Sequence, residues 1–188
     1  APGDVRGAVV WLVPRDAPAR AAAAPAPDSI VMRGREFLPH VLPVAAGRAV
    51  AFPNRDPFSH NVFSNADEGP FDLGLYRRGA TRAQTFARPG VYAIYCNIHS
   101  KMVSFVVAVP TPWVARPGAD GAFALAGVPP GRYVLHAWHE RAASAARQEV
   151  VVPAEGAVRA TLDARTWVAA PHLNKFGRPY AATRADRY

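Results

Sequence analysis

The chain is 188 residues long, half of them hydrophobic, with 22 basic against 14 acidic residues, six histidines and a formal net charge of +8. Its longest unbroken apolar runs are far too short to cross a bilayer, and its single cysteine excludes an internal disulfide. The basic residues, arginine everywhere except Lys101 and Lys175, are spread along the chain without a nucleic-acid recognition motif. The charge therefore leaves two readings open, a solvated surface or steering toward an acidic partner.

Helix signals are nearly absent, and short alternating or apolar runs punctuated by Pro and Gly predict an all-β protein. Ala1-Pro2-Gly3-Asp4 has neither an initiator methionine nor a basic-then-apolar leader, as expected of an exported protein after signal-peptide removal. The first strand is expected at 5–13. Residues 17–27 read as a low-complexity, extended connector. Strands then follow at 30–32, 41–44, 48–52, 61–63, 82–86, 91–95 and 105–109, with turns at Ala46-Gly47 and Arg88-Pro89-Gly90. Strands this short, with loops this frequent, predict a sandwich or barrel. Pro110-Thr111-Pro112 marks a boundary. Beyond it come a hairpin signal at Asp120-Gly121, a turn at Val128-Pro129-Pro130-Gly131 and strands at 132–139, 149–152 and 158–162. The tail from Thr166 to Tyr188 has no periodicity, and either packs over the surface or is loose.

The chemistry concentrates in Tyr95-Cys96-Asn97-Ile98-His99-Ser100-Lys101-Met102-Val103. A thiolate, an imidazole and a thioether lie at intervals of three residues on one strand-to-strand connection. One further imidazole gives the donor set that copper uses when it cycles between Cu(I) and Cu(II). His60, just after the apolar run ending at Phe52-Pro53-Asn54, supplies it. Each of these residues has a plainer reading, since a lone cysteine packs well in a core and a lone histidine is usually a surface or satisfied side chain. Zinc favours harder ligands than methionine and another spacing. It is the combination in its strand context that points to copper.

Residues 28–110 resemble the cupredoxins, the small blue-copper proteins. The matching segments are Gly47-Arg48-Ala49-Val50-Ala51-Phe52-Pro53-Asn54, His60-Asn61-Val62, and Pro89-Gly90-Val91-Tyr92-Ala93-Ile94-Tyr95-Cys96 continuing to Met102. The Cys-x-x-His-x-x-Met spacing is most similar to amicyanin, while plastocyanin has a longer His-to-Met interval. Ser59 stands where many cupredoxins have proline, and residues 65–80 do not align. The resemblance implies one type-1 copper, with His60, Cys96 and His99 as strong ligands, Met102 as the axial one, and the Asn61 amide donating to the Cys96 thiolate. It implies a periplasmic or otherwise exported electron carrier that is not an enzyme. A second bridging cysteine, or a histidine beside Cys96 leading to a second copper, is missing here. The implied partner is another redox protein, a dehydrogenase, cytochrome or reductase. A copper-trafficking or tolerance protein, and a structural or interaction module without redox role, are the alternatives.

Residues 118–162 resemble carboxypeptidase-regulatory-like or transthyretin-like modules, through Gly118-Ala119-Asp120-Gly121-Ala122-Phe123-Ala124-Leu125 and Val128-Pro129-Pro130-Gly131-Arg132-Tyr133-Val134-Leu135. Such modules begin with a strand like the one at 5–13. The expected fold class is therefore all-β, a cupredoxin Greek-key β-sandwich plus a second small β-sandwich module. The domains are 28–110, 111–165 completed by strand 5–13, and a tail at 166–188. His136 and His139 do not share a strand face and are read as structural. His40 and His172 have no recognisable context and are read as surface or core residues.

Overall fold

A computed structural model describes residues 5–18, 28–153, 158–165, 167–168 and 171–180. Residues 1–4, most of the connector expected at 17–27 and the tail beyond 180 lie outside the described residues. Among the described residues the chain is all-β, without a helix. In chain order the strands are β1 (Val9–Pro14), β2 (Asp28–Ser29), β3 (Val31–Arg33), β4 (Glu36–Leu38) and β5 (Val41–Ala45). Then come β6 (Arg48–Pro53), β7 (His60–Ser64), β8 (Phe71–Tyr76), β9 (Thr81–Phe86) and β10 (Gly90–Cys96). The last four are β11 (His99–Val109), β12 (Val114–Ala115), β13 (Gly131–Trp138) and β14 (Ala146–Val152). The described residues form two compact units, one of 28–108 with 171–180 and one of 5–18 with 109–168.

In the first unit a five-stranded sheet runs in the order β5-β11-β10-β7-β8 and a three-stranded one in the order β2-β6-β9, with the β3-β4 hairpin as a separate pair. Alternation along the strands sends one side chain in two to a shared core. Val50 and Phe52 of β6, Phe86 of β9, Val62 of β7, Ile94 of β10 and Val106 of β11 meet there. Each such side chain contributes about 1.5–3 kcal/mol by leaving water. Neighbours that are not consecutive in sequence, such as β10 beside β7, require the chain to cross between sheets, as a sandwich of this kind does. β8 lies within residues 65–80, where the sequence predicts nothing. β11 begins six residues before the strand expected at 105.

In the second unit one four-stranded sheet runs β12-β1-β13-β14. β1 sits inside it, paired with β13 from Val9↔Trp138 to Pro14↔Tyr133. Val10, Leu12, Tyr133, Leu135 and Ala137 form the core, and Phe123, Leu125 and Leu162 are partly buried against it. The strand expected at 158–162 does not form. Val158, Ala160 and Leu162 still pack on the core, because alternation records which side chains turn inward and not whether the backbone finds a ladder partner. His136 stacks flat on Trp11, with ring centroids 5.0 Å apart. His139 is buried against the Arg6 carbonyl and the Arg141 N–H. Both are structural.

Candidate metal centre

Three strand ends make the site. β7 opens with His60, β10 closes with Cys96, and β11 opens with His99 across the two-residue turn Asn97-Ile98. Cys96 pairs with His99, yet the preceding position, Tyr95, pairs with Val103. The three extra residues Ser100, Lys101 and Met102 form a bulge, which re-aims side chains at the end of a ladder. His60 and Cys96 are fully buried, and His99 is half-buried. Met102 is 1% exposed, in the same core cluster as Cys96.

The Nδ1 atoms of His60 and His99 lie 3.2 Å apart, and the Cys96 Sγ lies 3.8 Å from the first and 3.5 Å from the second. Three donors about 2.0–2.3 Å from one ion in a trigonal plane are separated by roughly 3.5–3.7 Å, close to these edges. The residues present therefore fit a metal ion. One thiolate and two imidazoles, with a thioether in the same core, form a donor set suited to copper. Burial pushes the Cys96 thiol above its ordinary 9.0, while the backbone N–H groups of Ile98, Asn61 and His99 act on the sulfur in the opposite direction. The Asn61 amide that the resemblance singles out is among these groups.

Sequence reasoning missed the residues that hold the ligands. Asp56 is 4% exposed. Its Oδ2 accepts from His60 Nε2 at 2.7 Å and from the Arg35 N–H at 2.9 Å, and its Oδ1 accepts from the Gly34 N–H at 2.6 Å. Burial alone raises the Asp56 pKa, but these hydrogen bonds outweigh it and hold the carboxyl below its ordinary 3.8. Gly34 and Arg35 form the β3-β4 turn with φ of 66° and 61°. That conformation costs a non-glycine residue on the order of 1 kcal/mol, and here the carboxylate secures both turn amides. Asn54, fully buried, donates to the Phe58 and Tyr76 carbonyls and accepts from the Asp56 N–H, so the loop leading to His60 is fixed. The available signal was an acid four residues before a ligand histidine, the usual partner of such a ring.

The tail supplies the rest. Tyr180 donates to the Cys96 carbonyl at 2.8 Å, and the Lys175 N–H donates to Asn97 Oδ1 at 3.0 Å. The Lys175 Nζ meets Asp72 at 2.6 Å, and Asp72 also accepts from Asn61 Nδ2. His172 stacks on Tyr95, with centroids 4.0 Å apart, and meets the Tyr180 hydroxyl. Residues 171–180 thus strap the Cys96 turn from behind. Its open side carries Phe58, 36% exposed, and Ile98, 45% exposed. The Phe58 ring lies 5.7 Å from that of His99 and under the Arg35 guanidinium.

No protein-family model matches the chain. A plastocyanin from Ulva arasakii is 34% identical over 73 residues, which cover 34% of this chain and 74% of that protein. Among solved structures, a copper-containing nitrite reductase (NirK) from Thermus scotoductus SA-01 is similar over 52% of this chain, with a TM-score of 0.43 and 29% identity. This chain spans 27% of that reductase's length. A mutant amicyanin in its reduced state is similar over 53% of this chain and 99% of its own, with a TM-score of 0.43 and 22% identity.

Proposed function

The chain belongs to the plastocyanin family of cupredoxins, and from that premise we propose that it carries single electrons between redox proteins through one type-1 copper. His60, Cys96 and His99 would hold the metal, with Met102, buried in the same core cluster as Cys96, as the fourth ligand. The observation that carries the reading is the convergence of one sulfur and two ring nitrogens within 4.8 Å of one another, from three strands of one sheet. Bound there, copper supplies a one-electron couple between Cu(II) and Cu(I).

The protein does the remainder. The core around Cys96, Ile94 and Met102 excludes water from the sulfur side. The bulge, the loop fixed by Asn54 and the strap at 171–180 keep the donors in one arrangement, which limits the rearrangement that accompanies a change of charge. His99, half-buried beside Phe58 and Ile98, is the route out, and these apolar side chains are the docking rim. Arg35 lies over Phe58, and Arg33, Arg55 and Arg78 line a neighbouring cleft, so the partner is acidic on the face that meets them. The family supports an exported, periplasmic carrier. A trafficking role calls for exposed, exchangeable ligands, and the burial of His60, Cys96 and Met102 speaks against it.

The residues at 28–108 are read as an insertion into the second unit, whose sheet includes β1. The test of the copper reading is the visible spectrum after Cu(II) is added. The wild type should take up one equivalent and develop an intense thiolate-to-copper band, and Cys96→Ser should lack it. A fully metallated wild type without that band would exclude a type-1 centre.

A further inference from the structure

Asp56 sits behind His60, on the side away from the other donors. The imidazole lies between a carboxylate, 2.7 Å from Nε2, and the metal position that Nδ1 faces. A carboxylate only accepts, so the ring proton is on Nε2 and the Nδ1 lone pair is free for the metal. The other donors to Asp56 are backbone N–H groups of Gly34 and Arg35, without net charge. The Arg35 guanidinium lies over the Phe58 ring instead. Asp56 therefore keeps a full negative charge, 4% exposed and little screened by salt, one ring away from the metal.

We infer that Asp56 is a positioning residue that sets the balance between the two copper oxidation states, a role that rests on the copper reading above. Cu(II) carries one more charge than Cu(I), so a fixed anion nearby favours it. Donation of the Nε2 proton to a carboxylate also makes Nδ1 a more basic ligand, which favours the state that prefers nitrogen. Both effects act in one direction and hold the reduction potential down. An uncharged acceptor in the same place would still orient the ring, but without the fixed charge and with a weaker effect on Nδ1.

The experiment compares wild type, Asp56→Asn and Glu36→Gln in the copper-loaded full chain. Glu36 is an exposed acid on the same hairpin, so its variant loses the same charge without touching His60. In Asp56→Asn the affinity for Cu(II) relative to Cu(I) should fall about tenfold, which for a one-electron couple raises the potential by about 59 mV. Glu36→Gln should stay within about twofold of wild type. Equal shifts in both variants, or less than a twofold change in Asp56→Asn, would overturn the inference and leave Asp56 as a pin for the β3-β4 turn. If Asp56→Asn fails to fold, nitrogen NMR of wild-type Cu(I) protein decides. It should show a slowly exchanging proton on His60 Nε2, and its absence would count against the role. A thiolate band with an unmoved potential removes only this inference, whereas a missing band removes the copper reading as well.

Discussion

Cys96 has two demands on it that pull apart. As a core side chain it sits among Ile94, Met102 and Val106, where an anion is costly, and as a ligand it must be a thiolate. Burial raises its pKa above 9.0 against the opposing effect of three backbone amides, so the metal-free protein holds a thiol through neutral pH. A raised folded value gives a contribution to stability that is complete below the ordinary pKa and is lost as pH rises through the folded one. Copper must displace that proton. Binding should therefore tighten about tenfold per pH unit between pH 7.5 and 8.5, measured by competition with a chelator whose own pH dependence is known. A pH-independent affinity would mean that the thiolate exists before the metal arrives.

At the scale of elements, β1 bears more weight than its position in the chain suggests. It fills the place between β12 and β13, and Val10 and Leu12 supply part of that unit's core. The Leu12 carbonyl also accepts from the buried Thr111 hydroxyl at 2.6 Å. Removing residues 1–16 should unpair β13 and expose Tyr133 and Leu135. Proteolysis should then cut within 131–152, while the thiolate band is retained. Protection of 131–152 after the deletion would contradict this. The sequence makes β1 visible because Ala8-Val9-Val10-Trp11-Leu12-Val13 is an uninterrupted apolar run. It hides β8, where Gly74 and Asp72 interrupt Phe71-Asp72-Leu73-Gly74-Leu75-Tyr76 and Gly74 takes a φ of 71°, a value typical of turns. It hides the start of β11 for a related reason, since Ser100 and Lys101 belong to a bulge and break the alternation. The ligands are legible because their spacing is local chemistry. Asp56 and Tyr180 are not, because their roles depend on which segments the fold brings together.

At the scale of the molecule, the neighbours β1 and β12 are separated in sequence by the whole of 28–108. A long excursion adds little to the cost of closing such a contact, since that cost grows only with the logarithm of length. The charge of +8 has a local expression as well, in Arg33, Arg55 and Arg78 around one cleft and Arg35 over Phe58, beside the half-buried His99. Such an arrangement suits fast, salt-dependent encounter with an acidic partner and transfer of one electron at a time. Voltammetry of the copper-loaded protein tests that claim most directly. The copper-loaded chain should give a single reversible one-electron wave, with one copper per chain, that is unchanged by added nitrite or dioxygen. A catalytic current with either substrate, or the absence of any reversible wave from fully loaded protein, would contradict it.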